Sequence, residues 1–156
     1  MLAYVFWHRP RSGVGVDEYE ERQREFHSSL DASSACFRIA ELPFGDRDRA
    51  YEDWYLVDGW AALGELNESA VDSLRRNPHD RAATHAAAGW GSVYMLARGT
   101  EEIPDGVEWL EKPRGEPSDE FVASLPHGAI WRRQLVLGPA PEFCCSTANA
   151  LSRTRL

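Results

Sequence analysis

Residues 2–9, LAYVFWHR, read as a β-strand without a polar face. Aromatic and β-branched residues dominate it, and turn-forming residues follow over 10–15. Side chains alternate along a strand, so Leu2, Tyr4, Phe6 and His8 share one face and Ala3, Val5, Trp7 and Arg9 the other. Neither face suits water, since a large exposed apolar patch ordinarily marks an interface. Whatever this chain folds into must therefore cover both sides of the sheet that holds this strand.

The next ninety residues supply cover for one side. A helix is predicted over 17–31: Asp17 is placed to cap it, with Glu20 three residues on as in a capping box. Tyr19, Gln23, Phe26 and Leu30 recur along it at helical spacing, with His27 beside Phe26. Strands are predicted at 34–42 and 51–57; in the second, Asp53 and Tyr55 share one face, Glu52 and Trp54 the other. A helical region from 58 carries Trp60, Leu63, Leu66 and Val71 and breaks near Asn67. A further helix is predicted over 78–88, capped by Asn77, with Pro78 at its first position and Gly89 at its end. Residues 90–98 make the fourth strand. This order predicts an α+β fold: a ferredoxin-like βαββαβ antiparallel sheet with both helices on one face. The other face is left bare, and pairing sheet to sheet in a homodimer covers it.

Beyond the core, 1–99, a C-terminal extension of the same domain is expected over 100–145. It has a Pro-, Gly- and acid-rich connection with a short strand at 107–110, a small helix from Ser118 to Leu125, and a strand at 129–137. Residues 146–156 are small and polar and read as a mobile tail.

Charge and cysteine usage exclude several classes. The 156-residue chain carries a formal charge of −8, and no Lys/Arg-rich run is present to displace counterions from nucleic acid or to hold a membrane surface. The apolar run at 2–7 is too short to span a bilayer. Cys36, Cys144 and Cys145 fit a reducing compartment, so a cytoplasmic protein is expected, and without a Cys-x-x-Cys a thiolate zinc site is not. Cys144 and Cys145 face opposite ways if their segment is extended. His79 and His85 are six apart, about 240° around a helix, so they do not share a metal. No nucleophile elbow, P-loop or dinucleotide fingerprint is present.

The element order, together with NPHDRAATHAAAGWGSVY at 77–94 just before the last core strand, resembles the dimeric α+β barrel superfamily. That group includes antibiotic-biosynthesis monooxygenases, stress-responsive barrel proteins, EthD-like proteins and small polyketide cyclases. The resemblance covers residues 2–98; the extension with IWRRQLVLGPAPEFC departs from the short members. It implies a pocket between sheet and helices, in which some members bind haem and others bind quinols, lactones or polyketides with no cofactor. The function it implies is a small cofactor-independent enzyme acting on an aromatic or polyketide-like apolar molecule, of cyclase, isomerase or monooxygenase type. A histidine serves as general base. A non-catalytic small-molecule-binding or stress-related protein and a haem-binding barrel protein are the alternatives.

The residues point to where such chemistry would sit. His8, on the face of Tyr4 and Phe6, lines the pocket if that face lies under the helices, and an imidazole takes a proton near neutrality. His27 approaches the same space, His85 lies among small residues that admit it to a pocket, and Asp53 is placed to orient a histidine. These four are the candidate catalytic residues. Tyr4, Phe6, Trp54, Tyr55 and Tyr94 are the candidate aromatic contacts, and Arg38 would neutralise a substrate carboxylate or enolate. The competing reading of each is structural: a satisfied imidazole, a strand-edge arginine, a core aromatic.

Overall fold

The computed structural model describes residues 1–45, 49–72, 76–134, 138–148 and 153–156, Arg76 by its backbone alone. Along the chain run β1 (Leu2–Pro10), α1 (Val16–Ser28), β2 (Ser33–Ile39), β3 (Ala50–Val57), α2 (Trp60–Ala70), α3 (Arg76–His85) and β4 (Ala86–Arg98). After them come β5 (Val107–Leu110), α4 (Ser118–Ser124), β6 (Ile130–Arg133), β7 (Phe143–Ser146) and β8 (Arg153–Arg155). The strands form one eight-stranded sheet in the order β5-β7-β6-β4-β1-β3-β2-β8. Every pairing is antiparallel. The protein is α+β, its sheet strongly curled into a half-barrel. No helix among the described residues is long and apolar enough to cross a membrane.

Several boundaries differ from the sequence reading, each for a tertiary reason. Ala86–Gly89 belong to β4, not to the preceding helix. β1 runs on to Pro10 and pairs Arg9 with Ala88 and Pro10 with Ala86, and the Arg11 N–H donates to the His85 carbonyl at 2.8 Å. Strand pairing thus overrides the helix preference of three alanines. At α1 the N-cap is Gly15 and no side chain caps it; Asp17 lies within the first turn. Glu20 is buried and bound elsewhere, to Arg38 at 3.0 Å and Tyr51 at 3.3 Å. The strand predicted at 129–137 is β6, of which 135–137 lie outside the described residues. The end of the chain, read as a mobile tail, carries β8, which pairs Phe37 with Arg155 and Ile39 with Arg153.

The two faces of β1 meet different surroundings. Leu2, Tyr4, Phe6 and His8 lie under α1, α2 and α3. On the same side, Phe121, Val122 and Leu125 of and beside α4 pack on Ile130, Phe143 and Cys145. Ala3, Val5 and Trp7 join Phe37, Trp54, Tyr94, Trp131 and Cys144 in the main core on the opposite face. That face is buried within a single chain: Ala3, Val5, Trp7, Phe37, Trp54 and Trp131 are each 0% exposed. Its cover comes from the curl. Trp109 of edge strand β5 reaches Trp7 at a ring separation of 5.1 Å and Trp54 at 6.0 Å. Across the opening, Arg155 of the other edge strand, β8, binds Asp105 at 3.0 Å and the Ile103 carbonyl at 3.3 Å. Burial of this face, the reason for expecting a second copy, is therefore achieved by β5 to β8.

Glu52 sits at the middle of this inner face, 1% exposed. Its carboxylate accepts from the indole N–H of Trp54 at 2.7 Å, of Trp7 at 2.8 Å and of Trp109 at 3.1 Å. Arg153 pairs with it at 3.1 Å while its guanidinium lies 3.4 Å from the Phe37 ring centroid. One carboxylate thus ties β1, β3, β5 and β8 together.

Candidate functional site

A cavity of about 660 Å³ lies between the outer face of the sheet and α1, α2 and α3. Its floor is aromatic and flat. Tyr4, Phe6 and His8 follow one another on β1 with rings 6.3 and 5.7 Å apart and inclined by only 29° and 21°. Tyr55 of β3 extends the floor, 5.8 Å from Tyr4. Two glycines of β4 let these rings lie down. A Cβ at Gly91 would come within 2.6 Å of the Tyr4 hydroxyl, and one at Gly89 would run into the end of the Phe6 ring. With the rings flat on the sheet, the space above them stays open. Because the obstructed atoms are ring tips, Gly89→Ala is expected to lift Phe6 into the cavity at a stability cost of about 1 kcal/mol, the low end for overpacking. Urea unfolding beside a ligand titration checks this: the midpoint falls slightly while affinity drops.

The inner end of the cavity is polar. His8, 2% exposed, has its Nδ1 2.5 Å from the Tyr19 hydroxyl and its Nε2 3.1 Å from Asp53 Oδ2. Asp53, itself 3% exposed, also accepts from the Tyr55 hydroxyl at 3.0 Å, and His27 Nε2 stands 3.3 Å from its other oxygen. The two imidazoles flank the carboxylate at ion-pair distance, but neither contact has the direction of a good hydrogen bond. Strand parity and register explain the assembly. Asp53 and Tyr55 alternate onto the face of Phe6 and His8, and Cys36 of β2 pairs with Asp53. α1 adds Tyr19, Gln23 and Phe26 from one stripe, with His27 next to it.

Burial alone would raise the Asp53 pKa; the charges of His8 and His27 beside it outweigh that and hold the carboxyl well below its usual range. Burial, reinforced by the Asp53 charge, pushes the Tyr19, Tyr55 and Cys36 acids up. These groups stay protonated; Tyr55 and Cys36 donate to the carboxylate, while the Tyr19 hydroxyl meets His8 Nδ1.

Of the candidates from sequence, Tyr4, Phe6, His8, Asp53 and Tyr55 line the cavity, and His27 meets Asp53 from its far side. The others lie elsewhere. His85 faces outward at the end of α3, its Nε2 3.1 Å from Glu18 and its Nδ1 2.7 Å from the Arg81 carbonyl. Arg38 pairs with Glu20 at the sheet margin. Trp54 donates to Glu52 on the opposite face, where Tyr94 donates to the Pro141 carbonyl at 2.8 Å. Sequence reasoning missed Tyr19, Gln23, Asn67 and His79 as lining residues. The signal for the first two was a tyrosine and a glutamine spaced four apart on an otherwise apolar stripe.

Three buried side chains, His8, Cys36 and Asp53, could hold a divalent cation, since one donor atom of each lies within 4.8 Å of the others. Such an ion would have to displace the Cys36 proton, which bonds to Asp53, and part His8 from Asp53. A haem iron would need an imidazole nitrogen turned into the cavity; of the two lining histidines, His8 has both nitrogens on protein groups, which leaves His79 to offer one. No protein-family model, curated protein or solved structure matches this chain.

Proposed function

We propose that this protein is a small enzyme that works without a cofactor, moving a proton to or from an apolar aromatic molecule held in the cavity. The observation that carries this reading is the line Tyr19–His8–Asp53, with contacts of 2.5 and 3.1 Å at the polar end of an aromatic-floored pocket. In the tautomer with its proton on Nε2, the nitrogen that stands 3.1 Å from Asp53, His8 presents the Nδ1 lone pair to the Tyr19 hydroxyl. The substrate gives a proton from an acidic O–H or C–H bond to the Tyr19 oxygen as the Tyr19 proton passes to His8 Nδ1. The electron pair of the broken bond stays on the substrate, and Asp53 balances the new imidazolium. Run in reverse at a second position, the same line completes an isomerisation or closes a ring. His27 completes the clamp on Asp53 and takes no proton from the substrate.

The same reading takes β4-β1-β3-β2 with its helices as a ferredoxin-like unit of the α+β-barrel kind, which the strand order supports.

Exchange of the α-protons of 2-tetralone with D2O, followed by proton NMR, tests the relay. The protein accelerates exchange, and His8→Ala and Tyr19→Phe each lower the rate about 10²-fold, in the range for a lost acid–base group. Undiminished exchange in both variants, with the fold intact by circular dichroism, rejects the reading.

A further inference from the structure

The wall opposite the aromatic floor is α2, and it packs unlike its neighbour over the cavity, α1. α1 buries Tyr19, Glu20, Gln23 and Phe26, whereas α2 has no buried residue. Trp60, Leu63, Gly64, Leu66, Asn67 and Ala70 line the cavity instead, Leu63 and Leu66 against the sheet and Trp60, Gly64 and Asn67 exposed along its open rim. Those positions recur at three and four residues, the spacing of one helix face. At the outer edge of that face, exposed at the rim of the cavity, stands a glycine, Gly64. A helix-interior glycine costs about 1 kcal/mol relative to alanine, and no local contact demands it here: a Cβ on Gly64 would meet no atom within 4 Å. Neither its φ nor a close neighbour calls for glycine. What the missing side chain leaves is room in the cavity.

That room has a shape. The cavity, about 660 Å³, is roughly four times the ~150 Å³ that holds one benzene. The floor beneath it runs across three successive rings of β1, nearly coplanar in inclination. A single ring covers only part of such a floor, whereas a flat fused-ring molecule spans it. The polar groups cluster at one end, around Tyr19 and His8.

We propose that Gly64 is the specificity-determining notch of this pocket, admitting a planar fused-ring phenol or enol with its hydroxyl at the Tyr19 end. A side chain at 64 would narrow the open rim of the cavity and hinder fused-ring molecules more than single-ring ones. The inference rests on the cavity as the binding site and is independent of the proton relay.

The test uses the full chain, with 1-hydroxypyrene and phenol as probes, by fluorescence and calorimetric titration. The wild-type protein binds 1-hydroxypyrene at least about ten-fold more tightly than phenol. Gly64→Leu weakens 1-hydroxypyrene about ten-fold or more and changes phenol less than about three-fold, on the scale by which pocket size discriminates. Gly64→Ala, which improves helix propensity and adds one methyl, gives an intermediate loss and serves should leucine disturb α2. The proposal is overturned if the wild type shows no preference for the larger probe, if Gly64→Leu binds it unchanged, or if both probes are lost together. Tyr19→Phe separates the two readings: both probes lose the same hydroxyl contact, so the ratio of their affinities stays within about three-fold whether or not proton exchange is lost.

Discussion

Glu52→Ala yields a chain without a cooperative unfolding transition. The wild-type carboxylate, 1% exposed, accepts three indole N–H groups and pairs with Arg153, whose side chain is 3% exposed. Alanine leaves three buried donors without an acceptor, at about 1–3 kcal/mol each, and strands a buried cation, for which about 3–5 kcal/mol is usual. These costs overlap and do not simply add, yet they rival the whole 5–15 kcal/mol by which a domain of ordinary size is stable. The loss also undoes the curl, because Trp109 and Arg153 come from opposite edge strands and meet at this group. Glu52→Gln is the informative control: its amide oxygen still accepts two bonds, so a weakened transition survives. Arg153 responds differently. All three of its guanidinium nitrogens lack a directed hydrogen bond, and burial draws its pKa down. Arg153→Met alone leaves the Glu52 charge buried without its cation and is expected to be destabilising, whereas in the Glu52→Gln background, where no buried charge remains, it restores stability. Urea titrations followed by tryptophan fluorescence measure all four proteins. A wild-type-like midpoint for Glu52→Ala would show that the sheet closes without this network.

The sequence made the two faces of the sheet legible and left the curl hidden. Alternation in 2–9 and 51–57 separates Tyr4, Phe6, His8, Asp53 and Tyr55 from Val5, Trp7, Glu52 and Trp54, and the structure keeps that division. Parity by itself therefore removes Trp54 from any site containing Asp53. Tyr94 is harder, since its face follows only from its pairing with Ala3, a register no local pattern encodes. His85 sits among alanines whether or not α3 turns it inward; its outward position depends on Glu18, 67 residues away. Tyr19 and Gln23 share a stripe with Phe26, and helical spacing cannot tell a face that fills a core from one that lines a cavity. Of the closing strands, β5 and β6 were legible at 107–110 and within 129–137, while β7 and β8 were not. These two span only four and three residues, too short for alternation to register, and β8 holds its place through Arg153 and Arg155 rather than through a pattern of its own.

Asp53→Asn should do the most damage to chemistry with the least change in shape. The amide keeps the size of the carboxyl and can still accept from Tyr55, but it carries no charge to orient His8 or to balance an imidazolium. Proton exchange is expected to fall about 10²- to 10⁴-fold, with probe affinity retained. A stability signature accompanies it. The folded protein holds the Asp53 pKa below its ordinary 3.8, so the unfolded chain binds that proton more readily. Stability from this group is then complete above the ordinary value and is lost as pH falls through it toward the lower folded value. Urea midpoints of the wild type should decline from about pH 5 downward, and the Asn variant, having no proton to take up at 53, should show a shallower decline over the same interval. Parallel acid limbs in the two proteins would mean that this carboxyl titrates as an ordinary aspartate. The clamp of His8 and His27 would then be a packing arrangement, without the electrostatic hold that the relay requires.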